Sequence, residues 1–316
     1  MKIMRIIFFG TSQFSAEILS FLKTLPVEIV AIVTRTDKPQ GRDLKLGMSP
    51  VKQRSLAFFP EVPLLQPEKA SSEVFCDKLH SFNADLFFVV AYGEILKSNI
   101  LEIPSKGCVN VHTSLLPKYR GAAPIQRCLM SGETVSGVTF MEMVLKMDAG
   151  DVLLQEKVSI PLEMNAALLE EALLTASKKR LPEFLANLDV YRSQKSTQPE
   201  SEVTFAAKIT SEDCLLNPRE NSEFLHNQIR GLSPFPGAYV KVQFGPQIKR
   251  LKILKSISRS VPVSYPPGYL WVKDSSLYMA ADNSFLELLE VQLEGKKSMK
   301  VGEFLRGIPK QFSLVP

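Results

Sequence analysis

Short apolar runs alternate with longer amphipathic segments through the first half of the chain. Residues 6–9, 27–33, 86–90 and 108–112 are dense in Ile, Val, Leu and Phe and predict strands, while apolar residues at helical spacing predict helices over 14–23, 51–58 and 72–79. Alternating strands and helices pack as a parallel sheet with both faces covered, so the expected architecture is an open α/β domain whose ligand sits at the carboxyl ends of the strands. A further strand pair over 137–143 and 151–158 and a long helix over 166–185 complete this half.

The texture then changes. Residues 191–202 are rich in Ser, Gln and Lys and sustain no apolar period, which reads as a linker. Beyond it, Pro234, Pro236, Pro262, Pro266 and Pro267 punctuate short apolar runs at 251–257, 269–272 and 285–291, the pattern of a small β-barrel or sandwich. The expected organisation is an open, mostly parallel α/β domain over 1–190, a linker over 191–204 and a smaller β-barrel over 205–316.

A length of 316 residues suits two such domains, each able to bury a core. With 45% hydrophobic and 22% charged residues the chain reads as globular, and no apolar run approaches the ~18 residues of a membrane span. The N-terminal residues carry only a short apolar stretch and no cleavage pattern, so a buried strand is expected there rather than a signal peptide, and the cytoplasm is the expected compartment. Cys76, Cys108, Cys128 and Cys214 stand far apart, as do His80, His112 and His226. That spacing offers neither a zinc site nor a disulfide framework, so reduced cysteines and no metal are expected. The net charge of +5 lies wholly in residues 191–316, which hold 17 Lys and Arg against 12 Asp and Glu; residues 1–190 hold 21 of each. A basic bias confined to one part of a chain fits a polyanionic partner, and it also fits an ordinary solvated surface.

Asn110 and His112 fall on one face of the predicted strand 108–112, near its carboxyl end. Lys146-Met147-Asp148-Ala149-Gly150-Asp151 forms a turn before a strand and supplies carboxylates from a neighbouring element. A carboxamide donor, an imidazole and a carboxylate suffice for acyl transfer to an amine without a protein nucleophile, although a strand-end Asn or His is more often a satisfied turn residue. The turn Gly10-Thr11-Ser12 lacks both the dinucleotide and the Walker spacing and is expected to be structural. The long loop 34–52 sets Arg35, Lys38, Arg42, Lys45 and Lys52 against Asp37 and Asp43, which fits either a nucleic-acid contact or a solubilising loop. Lys249, Arg250, Lys252 and Lys255, with Lys296, Lys297 and Lys300, could line a phosphate-tracking groove or a charged solvated face. Tyr92 and Tyr119 suit stacking on a ligand or buried packing equally.

The run Asn110-Val111-His112, followed by Ser114-Leu115-Leu116-Pro117-Lys118-Tyr119-Arg120-Gly121-Ala122-Ala123-Pro124-Ile125-Gln126, closely resembles the signature of the methionyl-tRNA formyltransferases. Met147-Asp148-Ala149-Gly150-Asp151 resembles its downstream partner. Further matches stand at Phe9 to Ser12, Asp37 to Arg42, Ser49 to Lys52, Val90 to Leu96, Ile229 to Tyr239 and Glu294 to Lys297. The resemblance implies that Asn110, His112 and Asp148 are catalytic and that Ser114, Leu115, Leu116 and Pro117, with Ile95 and Leu96, line a reduced-folate pocket. It implies that the loop 34–52 meets the tRNA acceptor end, with Arg42 as the expected contact, and that the second domain is an oligonucleotide-binding-like barrel; from their charge, Lys45 and the barrel residues Lys249, Lys252 and Lys296 are the further expected tRNA contacts. The implied reaction is formyl transfer from 10-formyltetrahydrofolate, a co-substrate, to the amino group of methionyl initiator tRNA for translation initiation, by a metal-free cytoplasmic monomer. Thr113, Ala149 and Phe235 depart from residues common in the family at those positions, and none removes a group from the implied chemistry. Two other readings are a formyltransferase with a small amine acceptor and a non-catalytic RNA-binding protein on a degenerate α/β domain.

Overall fold

The computed structural model describes residues 3–40, 45–308 and 312–315, without the side chains of Pro39, Gln40 and Lys45. The chain forms two units: residues 1–121, 136–159 and 170–205 make the first, and residues 122–135, 160–169 and 206–316 the second. In chain order the elements through the first 200 residues are β1 (Met4–Gly10), α1 (Gln13–Leu22), β2 (Val27–Val33), β3 (Lys38–Gln40), β4 (Lys45–Gly47), α2 (Pro50–Phe58), β5 (Leu64–Leu65), α3 (Glu73–Ser81), β6 (Leu86–Val90), α4 (Ser98–Leu101), β7 (Cys108–His112), β8 (Arg120–Gly121), α5 (Pro124–Met130), β9 (Val135–Glu142), β10 (Val152–Ser159), α6 (Ala166–Ala186) and α7 (Leu188–Ser193).

The first unit is built on a seven-stranded sheet of order β10-β9-β7-β6-β1-β2-β5. β7, β6, β1, β2 and β5 run parallel, and β9 turns antiparallel to β7. Ile6, Ile7, Phe8 and Phe9 of the central β1 are completely buried, because a parallel strand covered on both faces has no solvent side. Chain order reverses beside β1, with β2 on one side and β6 on the other, the point where open sheets of this kind leave a crevice at their carboxyl ends.

The turn after β1 is tightly packed and hydrogen-bonded. A Cβ on Gly10 would stand 2.7 Å from both the Phe8 ring and Ser15 Cβ. Ser12 caps α1 by accepting from the Ser15 amide, Ser15 Oγ donates to the Val90 carbonyl at 2.5 Å, and Thr11 Oγ1 donates to the Tyr92 carbonyl at 2.7 Å. These bonds tie the loop after β1 to the loop after β6.

Residues 191–204, expected as a linker, are hydrogen-bonded into the first unit. α7 continues to Ser193, Ser196 exchanges two backbone hydrogen bonds with Val152, and Gln198 is buried. Most of these residues are exposed, and Gln198 is the buried one.

β11 (Phe205–Ala206) stands at the boundary of the segments 170–205 and 206–316, and the second unit contains α5, α8 (Ser222–Leu232), β12 (Ala238–Phe244), β13 (Gln247–Arg259), β14 (Leu270–Lys273), β15 (Ser276–Ala281), β16 (Ser284–Leu293), β17 (Met299–Lys300), α9 (Val301–Leu305) and β18 (Phe312–Leu314). Its barrel-like antiparallel sheet has the order β14-β15-β16-β13-β12-β18, with β17 on β16. Leu251 and Ile253 face its core, and a register shift before Lys255 lets Leu254 be buried as well. α8 adds Leu225, Ile229 and Leu232 to that core.

Candidate active site

His112 is the last residue of β7 and lies opposite Thr139 of β9; Asn110 lies opposite Met141 and beside Val89 of β6. Strand alternation puts the two on one face, as the sequence pattern predicts. The imidazole is buried, and its Nε2 sits 2.9 Å from the Tyr119 carbonyl oxygen. A carbonyl can only accept, so Nε2 carries a hydrogen and Nδ1 is the atom left to exchange a proton. Nδ1 faces Asp148 Oδ2 at 3.7 Å. The Asn110 carboxamide is half-buried and has no hydrogen-bond partner among the described residues.

Asp148 lies in the turn between β9 and β10 with φ +51°, the left-handed region, which costs a non-glycine residue on the order of 1 kcal/mol. Several contacts hold it there. The carboxylate Oδ2 accepts from the Gly121 amide at 2.8 Å, and the Gln198 side-chain amide donates to the Asp148 carbonyl at 2.9 Å and the Gly150 carbonyl at 2.7 Å. Gly150 has no room for a side chain, since a Cβ would stand 1.8 Å from the Glu142 carbonyl oxygen. The structure therefore brings His112 and Asp148 together from positions 36 residues apart, with Asn110 two residues away on the same strand face.

No thiolate competes as a nucleophile on this strand: burial, with Glu142 adding, pushes the Cys108 thiol up to about 12. Burial also raises the Tyr92 phenol, which packs edge-on against Phe9 at 5.5 Å, so this tyrosine is a packing residue. Glu200, on the surface beside the turn, is held below the usual carboxylate range by Lys146 and then by Arg120.

The positions expected to meet folate occupy the loops leaving β6 and β7. Ile95 is 70% exposed and Leu96 is buried; Leu116 is buried, and Leu115 and Pro117 are half-buried. Ser114 is internal, its hydroxyl donating to the Lys118 carbonyl at 2.7 Å. Thr139 Oγ1 holds this loop by donating to the Ser114 carbonyl while accepting from the Leu116 amide and the Gln155 side chain. Ser114 thus shapes the loop with its own hydroxyl already engaged. Among the expected tRNA contacts, Arg42 and the Lys45 side chain lie outside the described residues. Lys249 lies over the Phe244 ring at 5.4 Å, Lys252 donates to the Pro236 carbonyl at 2.7 Å, and Lys296 is exposed. Sequence reasoning missed Gln198, Thr139 and the Tyr119 and Gly121 backbone groups; for the last two, only the positive φ of Tyr119 and the adjoining glycine mark the turn, and neither is a side-chain signal.

An imidazole–carboxylate pair and an amide without a partner among the described residues, set at the open end of an α/β sheet, suit group transfer between substrates that bring the reacting atoms. The formyl transferase family matches residues 2–185, and the formyl transferase C-terminal domain matches residues 208–309. The chain is 43% identical over 307 residues to the methionyl-tRNA formyltransferase of Protochlamydia amoebophila, covering 97% of this chain and 96% of that one. It is 40% identical over 314 residues to that of Chlamydia muridarum, covering 99% of each. Its fold is similar to that of a sugar 3N-formyl transferase solved with dTDP and 5-N-formyl-THF, with a TM-score of 0.63 and 18% identity over 94% of this chain and 100% of that one. The chain belongs to the methionyl-tRNA formyltransferase family.

Proposed function

We propose that the protein transfers the formyl group of 10-formyltetrahydrofolate to the amino group of methionyl initiator tRNA, for initiation of translation, as a cytoplasmic monomer. The observation that carries the chemistry is the His112–Asp148 pair beside the unpartnered Asn110 amide. The loops that would receive the folate fit a flat, partly apolar ring: Ile95 stands exposed after β6, and Val144, Leu145 and Met147 stand exposed on the turn that carries Asp148. Residues 91–96 and 114–117 would hold it. The formyl donor supplies a carbonyl carbon bonded to a nitrogen leaving group.

The amino nitrogen of the methionyl group, unprotonated, forms a bond to that carbon, and the carbon–nitrogen bond to the folate breaks. Asn110 Nδ2 donates to the formyl oxygen as charge gathers on it. His112, protonated at Nδ1 and with its imidazolium stabilised by Asp148, donates to the same region; it gives that Nδ1 proton to the departing folate nitrogen and takes the proton released by the attacking amine in its place. Losing one such donor lowers kcat by about 10²–10³-fold. For the tRNA, the exposed Lys296 is the best placed of the barrel lysines named, since Lys252 already directs its ammonium at the Pro236 carbonyl. Arg42, Lys45 and Lys249 are the further phosphate contacts proposed.

The test is turnover with labelled formyl donor and charged initiator tRNA beside free small amines. Asn110→Ala and His112→Ala should each lose activity on this scale with unchanged melting temperature. Wild-type turnover in either variant, or equal formylation of the small amines, refutes the reading.

A further inference from the structure

We infer that residues 195–204 form a strap that sets the Asp148 carboxylate in place, with Gln198 as its positioning residue; this rests on the catalytic reading of Asp148. The strap touches both loops of the site. Lys195 pairs with Asp151 at 2.9 Å, and Ser196 bridges Val152. Glu200 takes Lys146 at 2.9 Å. On the other loop, Thr204 Oγ1 accepts from the Tyr119 amide at 2.9 Å and the Thr204 carbonyl from the Arg120 amide at 2.9 Å. Tyr119 in turn carries the carbonyl that receives His112, and Gly121 the amide that binds Asp148.

Gln198 stands at the centre. Its Nε2 donates to the carbonyls of Asp148 and Gly150, bracketing the residue held at positive φ and the glycine that follows its neighbour. The orientation of that amide is dictated by Arg120, a completely buried guanidinium whose Nε donates to Gln198 Oε1 at 2.9 Å. With Oε1 so engaged, the amide hydrogens can only face the turn. Arg120 Nη1 reaches Glu200 at 3.3 Å, and Nη2 has no partner among the described residues. Burying a guanidinium this incompletely paired is costly, and the geometry it secures is that of Gln198 against the Asp148 turn.

Gln198 touches no reacting atom, so it acts through Asp148, and a double-mutant cycle isolates that role. Gln198→Leu removes both bonds to the turn, and Gln198→Glu keeps the shape while replacing the donor by an acceptor. A displacement of ~1 Å in a catalytic group costs up to about 10²-fold. Each variant should therefore lower kcat about 10–100-fold and leave the KM for methionyl-tRNA within about twofold. Gln198→Leu also strips Arg120 Nε of its acceptor and should melt lower than the parent, whereas Gln198→Glu keeps that acceptor, so rates are compared where each variant is fully folded. In an Asp148→Asn background the same substitutions should change kcat by less than about twofold. An equal loss in both backgrounds, a loss confined to KM, or no loss in the parent overturns the positioning role while leaving the formyl-transfer reading intact. Full activity in Asp148→Asn alone overturns the catalytic reading and this inference with it.

Discussion

Gly150→Ala tests whether the Asp148 turn is held as the structure describes. The added Cβ would lie 1.8 Å from the Glu142 carbonyl oxygen and 2.7 Å from its carbon, both backbone atoms. Ordinary contact begins at 3.4 Å, so something must move by about 1.6 Å. Glu142 is poorly placed to yield: its amide donates to the Asp151 carbonyl at 2.9 Å, it pairs with Val109 across the sheet, and its carboxylate receives Arg192 at 2.8 Å. The displacement therefore falls on the turn. Overpacking costs about 1–3 kcal/mol, and a backbone clash without a rotamer escape belongs at the upper end, about 3 kcal/mol. At about 2–4 °C per kcal/mol for a unit of this size, the melting temperature should fall by about 6–12 °C. Turnover should fall further than stability, by about 10²-fold where the folded fraction is near complete, because Asp148 moves off His112. Calorimetry and initial rates measure the two effects. Gly302→Ala in α9, where a Cβ meets nothing within 4 Å, is the control: it should leave turnover unchanged and hold or slightly raise the melting temperature, since Ala is favoured over Gly within a helix. A Gly150→Ala protein that melts within about a degree of the parent and turns over within about twofold of it would refute the account.

Thr139→Val removes a hydroxyl that makes three hydrogen bonds, leaving the Leu116 amide and the Ser114 carbonyl unpaired in the interior; urea unfolding should show a loss of about 2–3 kcal/mol. The His226 imidazole accepts from Ser256 at 3.1 Å and donates to the Leu162 carbonyl at 3.3 Å, and burial, with Arg230 assisting against Glu163, Glu223 and the Leu162 bond, holds it below its ordinary 6.5. The unfolded chain then binds a proton near 6.5 that the folded chain resists, so stability is lost as pH falls below about 6.5 and through the lowered folded value. His226→Gln should flatten the difference in urea midpoint between about pH 7.5 and about pH 5.5, and a variant whose midpoint falls as steeply as the parent's removes the assignment.

The strands of the first unit were legible because each is an apolar burst too dense for a surface, and the shared face of Asn110 and His112 followed from alternation alone. The motif around them carried the family, and with it the chemistry. The strap was not legible: Gln198 and Thr204 sit in a stretch with no periodicity, and their partners lie some 48 to 85 residues away. Two of the groups that orient His112 and Asp148 are backbone atoms, the Tyr119 carbonyl and the Gly121 amide, which no residue identity announces. α8 was hidden because His226, Asn227, Gln228 and Arg230 look solvent-facing and are buried. Segments 122–135 and 160–169 join the second unit although they interrupt the first in the chain. Local pattern follows from the residues themselves because periodicity and burial act over a few positions. The meeting of an imidazole with a carboxylate held at positive φ depends on hydrogen bonds between distant segments, and those exist only once the chain has folded.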